Sequence, residues 1–124
     1  MKKMSNICSR KEVQMENEKY TAAAKRLELY AVYLSQVENC EHLRRDDLAR
    51  AELKAEMFGL RRSVMRLPEC KEKLLLYNRY IRGYTMEECA ELLGMSRRIV
   101  FRLRLRALDL YIRKNPDDES VKVL

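Results

Sequence analysis

Residues Tyr84–Tyr111 read YTMEECAELLGMSRRIVFRLRLRALDLY, and the fold turns on how this stretch is divided. Thr85 is a good helix N-cap, and Glu88 follows three positions later as the reciprocal partner of a capping box. Met86, Cys89, Ala90, Leu92 and Leu93 supply an apolar side. Gly94 then stands where a helix needs a residue free to turn left-handed. Ser96 caps a second helix, in which Val100, Leu103, Ala107, Leu110 and Tyr111 recur at steps of three and four and make a buried stripe. Two capped helices joined by a tight Gly turn, the second carrying five arginines, are the pattern of a helix-turn-helix.

The arginines fall largely off the stripe. Arg97, Arg98 and Phe101 lie in the first two turns of the second helix, the part of such helices that reaches base edges. Arg102, Arg104 and Arg106 follow and suit phosphate contacts. With the caps Thr85 and Ser96, these make the candidate DNA-binding set: Thr85, Ser96, Arg97, Arg98, Phe101, Arg102, Arg104 and Arg106. Two readings of Phe101 stay open: burial against a neighbouring helix, or exposure toward a thymine methyl. A bland reading of the arginines, a solvated helix face, also stands beside the DNA reading.

Charge supports the DNA reading. The chain carries a formal net charge of +7 and has a pI near 9.4. Residues 95–114 hold seven Arg or Lys against one acid, Asp109, whereas residues 1–67 hold 14 basic and 10 acidic side chains, interspersed. The excess is therefore concentrated on the second helix, as a polyanionic partner requires.

The segment Leu67–Lys114 resembles region 4 of the sigma-70 family of RNA polymerase specificity factors. RLPECKEKLLLYNRYIRGYTMEECAELLGMSRR has that family's order: Leu-Pro-Glu, an apolar helix, a short Gly turn, then Thr-x-Glu-Glu opening the two-helix unit. The Met-Ser-Arg-Arg-Ile-Val run and the pair Ala107–Leu108 fit as well. The resemblance implies that Arg97, Arg98, Phe101 and Arg102 contact promoter DNA. Arg98 stands where sigma factors often carry Glu, and Phe101 where they carry a polar or basic residue. Strand opening in that family needs a further aromatic-rich domain, which residues 1–67 do not resemble. In size and layout the chain is similar to small transcriptional regulators of phages and mobile elements.

The remainder reads as helix. Three Gly, two Pro and few β-branched residues among 124 leave an all-α chain rich in Ala, Leu, Glu, Lys, Arg and Met. Residues 1–10 are expected to be disordered. Residues 11–67 are expected to form a helical hairpin or dimerisation arm, its first helix spanning about 11–38, with Val13, Tyr20, Leu27 and Leu34 repeating every seven. Ala23, Ala24, Tyr30, Ala31 and Val37 fill the intervening steps, and Asn39 and Cys40 interrupt. A second helix over 42–66 has the stripe Ala49, Leu53, Met57, Leu60, Val64 and Leu67, with Gly59 as a kink or division. Pro68 is expected in the first turn of a third helix, 69–81, whose apolar residues are Leu74, Leu75, Tyr77 and Ile81. The resemblance implies a sigma region 4-like domain over residues 68–114, and residues 115–124 are expected to form a flexible tail.

Other functions find little to stand on. Cys8, Cys40, Cys70 and Cys89 are 32, 30 and 19 residues apart, and the single His42 lies two from Cys40, so no metal or cofactor is expected. There is no phosphate-cradling glycine loop and no recognisable catalytic constellation, so the chain reads as a non-enzyme. No apolar run follows the charged N-terminus and none approaches membrane-spanning length, which points to a cytoplasmic protein with free thiols and no membrane partner. The expected partners are double-stranded DNA, a second copy of the chain through residues 11–66, and RNA polymerase as a further contact. The rival reading is a phage-type interaction module that docks on host RNA polymerase or inhibits a host nucleic-acid-handling enzyme.

Overall fold

Nothing between Lys2 and Leu43 stops a helix: the segment lacks Gly and Pro and is rich in Ala, Leu, Glu and Lys. One 42-residue helix, α1 (Lys2–Leu43), accordingly spans it, about 63 Å long. The computed structural model describes the backbone of residues 2–43 and 47–116, and the side chains of residues 18–40 and 47–116. The chain continues as α2 (Asp47–Met65), α3 (Lys71–Leu76), a π-helical turn (Tyr77–Ile81), α4 (Met86–Leu93) and α5 (Arg97–Lys114). All regular structure among the described residues is helical.

Several boundaries differ from the sequence expectation. Helix α1 covers residues 2–10, expected to be loose, and passes through Asn39 and Cys40 unbroken. Both residues are tolerated in a helix interior at a cost of a few tenths of a kcal/mol, about 0.5, which packing against α2 overrides. Gly59 does not divide α2, which runs through it unbroken. Pro68 lies in the link before α3, whose N-cap is Cys70, so it ends one helix without opening the next. The single helix expected over 69–81 is a six-residue α-helix followed by five residues of π-helix.

Two apolar cores organise these elements. The larger gathers Ala23, Ala24 and Leu27 from α1, Val64 and Leu67 at the end of α2, Leu76 and Tyr80, and Ala107, Leu108 and Tyr111 from α5. The smaller joins Leu75, Met86, Cys89, Ala90, Val100 and Leu103. Leu108 takes the buried position expected for Leu110, which is only half-buried. Leu74, one of the apolar residues of the expected third helix, is 46% exposed. Leu27 turns the seven-residue repeat of α1 inward, whereas Leu34, Ala31 and Ala49 are exposed. The side chain of Val13 lies outside the described residues.

A polar clamp closes the larger core. The Tyr111 hydroxyl donates to Ser63 Oγ at 3.0 Å, and Ser63 Oγ donates to the Leu60 carbonyl at 2.6 Å. Asn115, only 1% exposed, donates from Nδ2 to the carbonyls of Ser63 and Tyr111 at 3.0 Å each. Its Oδ1 accepts from the Arg66 guanidinium at 3.2 Å. The tail expected to be loose from Asn115 therefore begins with a buried, fully bonded residue; residues 117–124 lie outside the described part of the chain. Asn115 ends α5 because Pro116 disfavours helical backbone before it, and the clamp rewards the position it then takes.

Two substitutions test this account by urea denaturation. Asn115→Ala strands the buried carbonyls of Ser63 and Tyr111 and should lower stability by about 1–3 kcal/mol. Gly59→Ala adds a Cβ that meets nothing within 4 Å in an exposed helix interior, and should raise stability by about 0.5–1 kcal/mol. Equal stability of both variants and the parent would contradict the packing described.

Candidate nucleic-acid interface

The π-helical turn sets where α4 begins. Asn78, buried at 2% exposure, donates from Nδ2 to the Leu74 carbonyl at 2.7 Å, and its Oδ1 accepts from Arg82 at 3.0 Å. The Arg82 amide reaches back five residues to the Tyr77 carbonyl at 3.0 Å, and the Tyr84 amide reaches the Asn78 carbonyl at 2.9 Å. Arg79 donates to the Tyr84 carbonyl at 3.2 Å, and the Arg82 guanidinium lies over the Tyr84 ring, 4.5 Å from its centroid. A segment with so many fixed partners holds Thr85 at a defined place.

From Thr85 the local chemistry matches the sequence expectation. The Glu88 amide donates to Thr85 Oγ1 at 3.1 Å and the Thr85 amide to Glu88 Oε1 at 3.0 Å, a complete capping box. Gly94 adopts φ 64°, in the left-handed region. Its amide bonds to the Glu91 carbonyl at 3.2 Å and the Met95 amide to the Ala90 carbonyl at 2.9 Å. This pair is the Schellman closure, and Met95 packs on the same core that holds Ala90. Ser96 Oγ then accepts from the Ile99 amide at 3.3 Å, which starts α5. Thr85 and Ser96 are thus committed to caps; their hydroxyls build the turn.

The arginines divide into groups. At about 100° per residue, Arg98, Arg102 and Arg106 share one ridge of α5, opposite the buried Val100, Leu103 and Ala107. Arg98 and Arg102 are exposed. Arg106 is exposed too, but it borders a groove that also holds Glu72, Asp109 and Arg113, so its field is shared with two carboxylates. Arg97 and Phe101 lie on a neighbouring ridge. The Arg97 guanidinium is 5.6 Å from the Phe101 ring centroid and 3.8 Å from Glu87 Oε1, both groups of that ion pair being well exposed. Such a pair holds Arg97 weakly, by less than about 1 kcal/mol. Arg104 is half-buried, on the side of α5 that continues into the core at Leu108. Phe101 is 41% exposed, so it is not buried against a neighbouring helix.

Two classes of residue join the site without belonging to the sequence-predicted set. Asn78, Arg79 and Arg82 form the first; a polar Asn inside an apolar helical run is itself a signal, because Asn is disfavoured there unless its side chain is used. Ile99 and Leu105, 48% and 45% exposed, interleave with the arginines on α5. Nothing in a three- and four-residue periodicity marks such residues, since the stripe explains only what is buried.

Cys89 sits under the turn at 0% exposure. Burial pushes its thiol up; Arg79 opposes this and Glu88 adds to it. It stays a neutral, inert apolar filler at pH values where an exposed thiol ionises. Among the described residues no group of three His, Cys, Asp or Glu side chains is disposed to hold a metal, and no helix is long and apolar enough to cross a membrane. No known protein family, curated protein or solved structure matches this chain.

The turn offers a direct test. Gly94→Ala forces an L side chain into the left-handed region and should cost about 1–2 kcal/mol. Thr85→Ala removes one cap and should cost about 1 kcal/mol. Both losses should appear as shifts of the urea midpoint without a change of slope. A neutral Gly94→Ala would mean that the α4–α5 turn is not held as described.

Proposed function

We propose that the chain is a sequence-specific double-stranded DNA-binding transcriptional regulator. In this reading α4, the Gly94 turn and α5 form a helix-turn-helix related to sigma region 4, and α5 enters the major groove by its first turns. The observation that carries it is the ridge Arg98–Arg102 with Phe101 beside it, exposed at the start of α5, while Val100 and Leu103 anchor the opposite side. A forked guanidinium at Arg98 matches the two major-groove acceptors of guanine. Arg102 lies one turn further on and suits a phosphate. Arg97 would exchange its weak pair with Glu87 for the DNA backbone. Arg104 and Arg106 contribute less, the first half-buried and the second beside Asp109 and Glu72. The protein acts without catalysis or cofactor, in the cytoplasm, as a homodimer through its 11–66 arm, and RNA polymerase is a natural further contact for a regulator of this kind.

A second reading has its own support. Leu92, Ile99, Phe101 and Leu105 are each between 41% and 51% exposed, so the basic face is interleaved with apolar side chains. That mixture also suits an acidic protein surface, such as a host RNA polymerase or another nucleic-acid-handling enzyme that the chain would inhibit.

Selection of bound duplexes from a random pool at physiological salt separates the two. Enrichment of one motif supports DNA reading; capture without any duplex preference supports the protein surface. Within the selected motif, Arg98→Ala should flatten one guanine column, costing about 1–3 kcal/mol against that base alone. Arg102→Ala should weaken every sequence alike and reduce the salt slope of log affinity by about 0.9, with a smaller change for Arg106→Ala. Uniform loss of affinity for every duplex in Arg98→Ala would remove the base-reading role.

A further inference from the structure

The outer face of α2 carries a second apolar stripe, away from the core. Leu48, Ala51, Ala55, Phe58, Arg62 and Met65 follow at steps of three, four, three, four and three, and all six are exposed. Leu48 is 65% exposed, Phe58 62% and Met65 50%. The buried residues Leu60, Ser63 and Val64 occupy the opposite side. Arg62 conforms to the stripe, because its guanidinium lies over the Phe58 ring at 5.8 Å and leaves its alkyl stem along the helix. This spacing is a coiled-coil seam. Beside its C-terminal end opens a cleft of about 270 Å³ lined by Met65, Glu69, Cys70, Lys73, Leu74 and Tyr77.

We propose that this face is the interface with a second copy of the chain, with the two α2 helices antiparallel about a two-fold axis between Ala55 and Phe58. The inference rests on the dimer reading above and assigns it a surface other than the α1 repeat, whose Leu27 the chain's own core consumes. The stripe is self-complementary in that direction. Leu48 meets the partner's Met65, Ala51 the partner's Arg62 stem, and Ala55 the partner's Phe58, each twice. A large side chain faces a small one at the centre, as knobs require holes. The most exposed of the large apolar side chains, Leu48, stands at one end of the stripe and the cleft at the other, so antiparallel pairing seats two knobs in two clefts.

Charge favours the same direction. Residues 47–56 carry Asp47, Glu52 and Glu56 together with Arg50 and Lys54, a net charge of −1, whereas residues 57–66 carry Arg61, Arg62 and Arg66 and no acid, a net charge of +3. Parallel pairing would stack the three arginines on their copies. Antiparallel pairing lays the acid-bearing half beside them.

Sedimentation equilibrium of the full chain across the micromolar range tests the surface. The parent should dimerise, and Phe58→Glu should weaken dimerisation about tenfold or more, by burying a charge at the centre. Leu92→Asp, at an exposed apolar position on α4 outside this stripe, should leave the mass unchanged. Leu48→Asp and Met65→Lys should each weaken self-association, and an equimolar mixture of the two should restore it, because only the antiparallel register joins the new Asp to the new Lys while keeping Leu48 on Met65 at the other end. Far-ultraviolet circular dichroism confirms that each variant remains helical. A monomeric parent, or a mixture that does not recover, overturns the proposal. Duplex binding by α5, measured separately on a single half-site, is unaffected by either outcome and reports on the DNA reading alone.

Discussion

Everything in this fold depends on α5 being one unbroken rod. Its first half supplies Val100 and Leu103 to the smaller core and its second half supplies Ala107, Leu108 and Tyr111 to the larger. The 18 residues span about 27 Å, so the ridge at Arg98 and the clamp at Asn115 are opposite ends of the same lever. Leu75 and Leu76 make the same division one residue apart in α3, the first facing the smaller core and the second the larger. Neither core is complete without α3 and α5, so the basic ridge is only as well positioned as the packing of α1 and α2 beneath it.

Much of this was legible in the sequence wherever local chemistry decides the outcome. A capping box, a left-handed Gly and a Ser cap act within four residues of themselves, so the α4–α5 turn could be read from Thr85, Glu88, Gly94 and Ser96 alone. The all-helical class followed from composition for the same reason. What could not be read depended on distant partners. Asn115 looks like the first residue of a polar tail until Ser63, 52 residues earlier, presents its carbonyl. The π-helical turn is invisible to a periodicity argument for another reason: Asn78 bonds the Leu74 carbonyl and Arg82, four residues to either side, and hydrophobic spacing does not register such polar bonds.

The basic face was legible as charge but not as a surface. Counting residues gives Arg97, Arg98, Arg102, Arg104 and Arg106 equal standing. Packing ranks them: Arg98 and Arg102 stand clear, Arg97 shares its charge with Glu87, Arg104 is half-covered, and Arg106 looks across at carboxylates. The exposed arginines without a carboxylate partner beside them, Arg98 and Arg102, therefore lie in the first two turns of α5. Ile99, Phe101 and Leu105 interrupt that charge with exposed apolar area.

The π-helical turn between Tyr77 and Ile81 bears on how such a chain can change over generations. A π turn is what an α-helix becomes when it absorbs one additional residue without shifting its flanks. Here Leu75 and Leu76 keep their two cores on one side, and the α4 cap keeps its place on the other. A lineage could therefore gain or lose a residue at this point and preserve both packing faces, while altering the approach of Arg79 and Arg82 to the loop that aims α4. The segment gives the fold a site of drift at which the pose of the basic helix can be retuned without rebuilding either core.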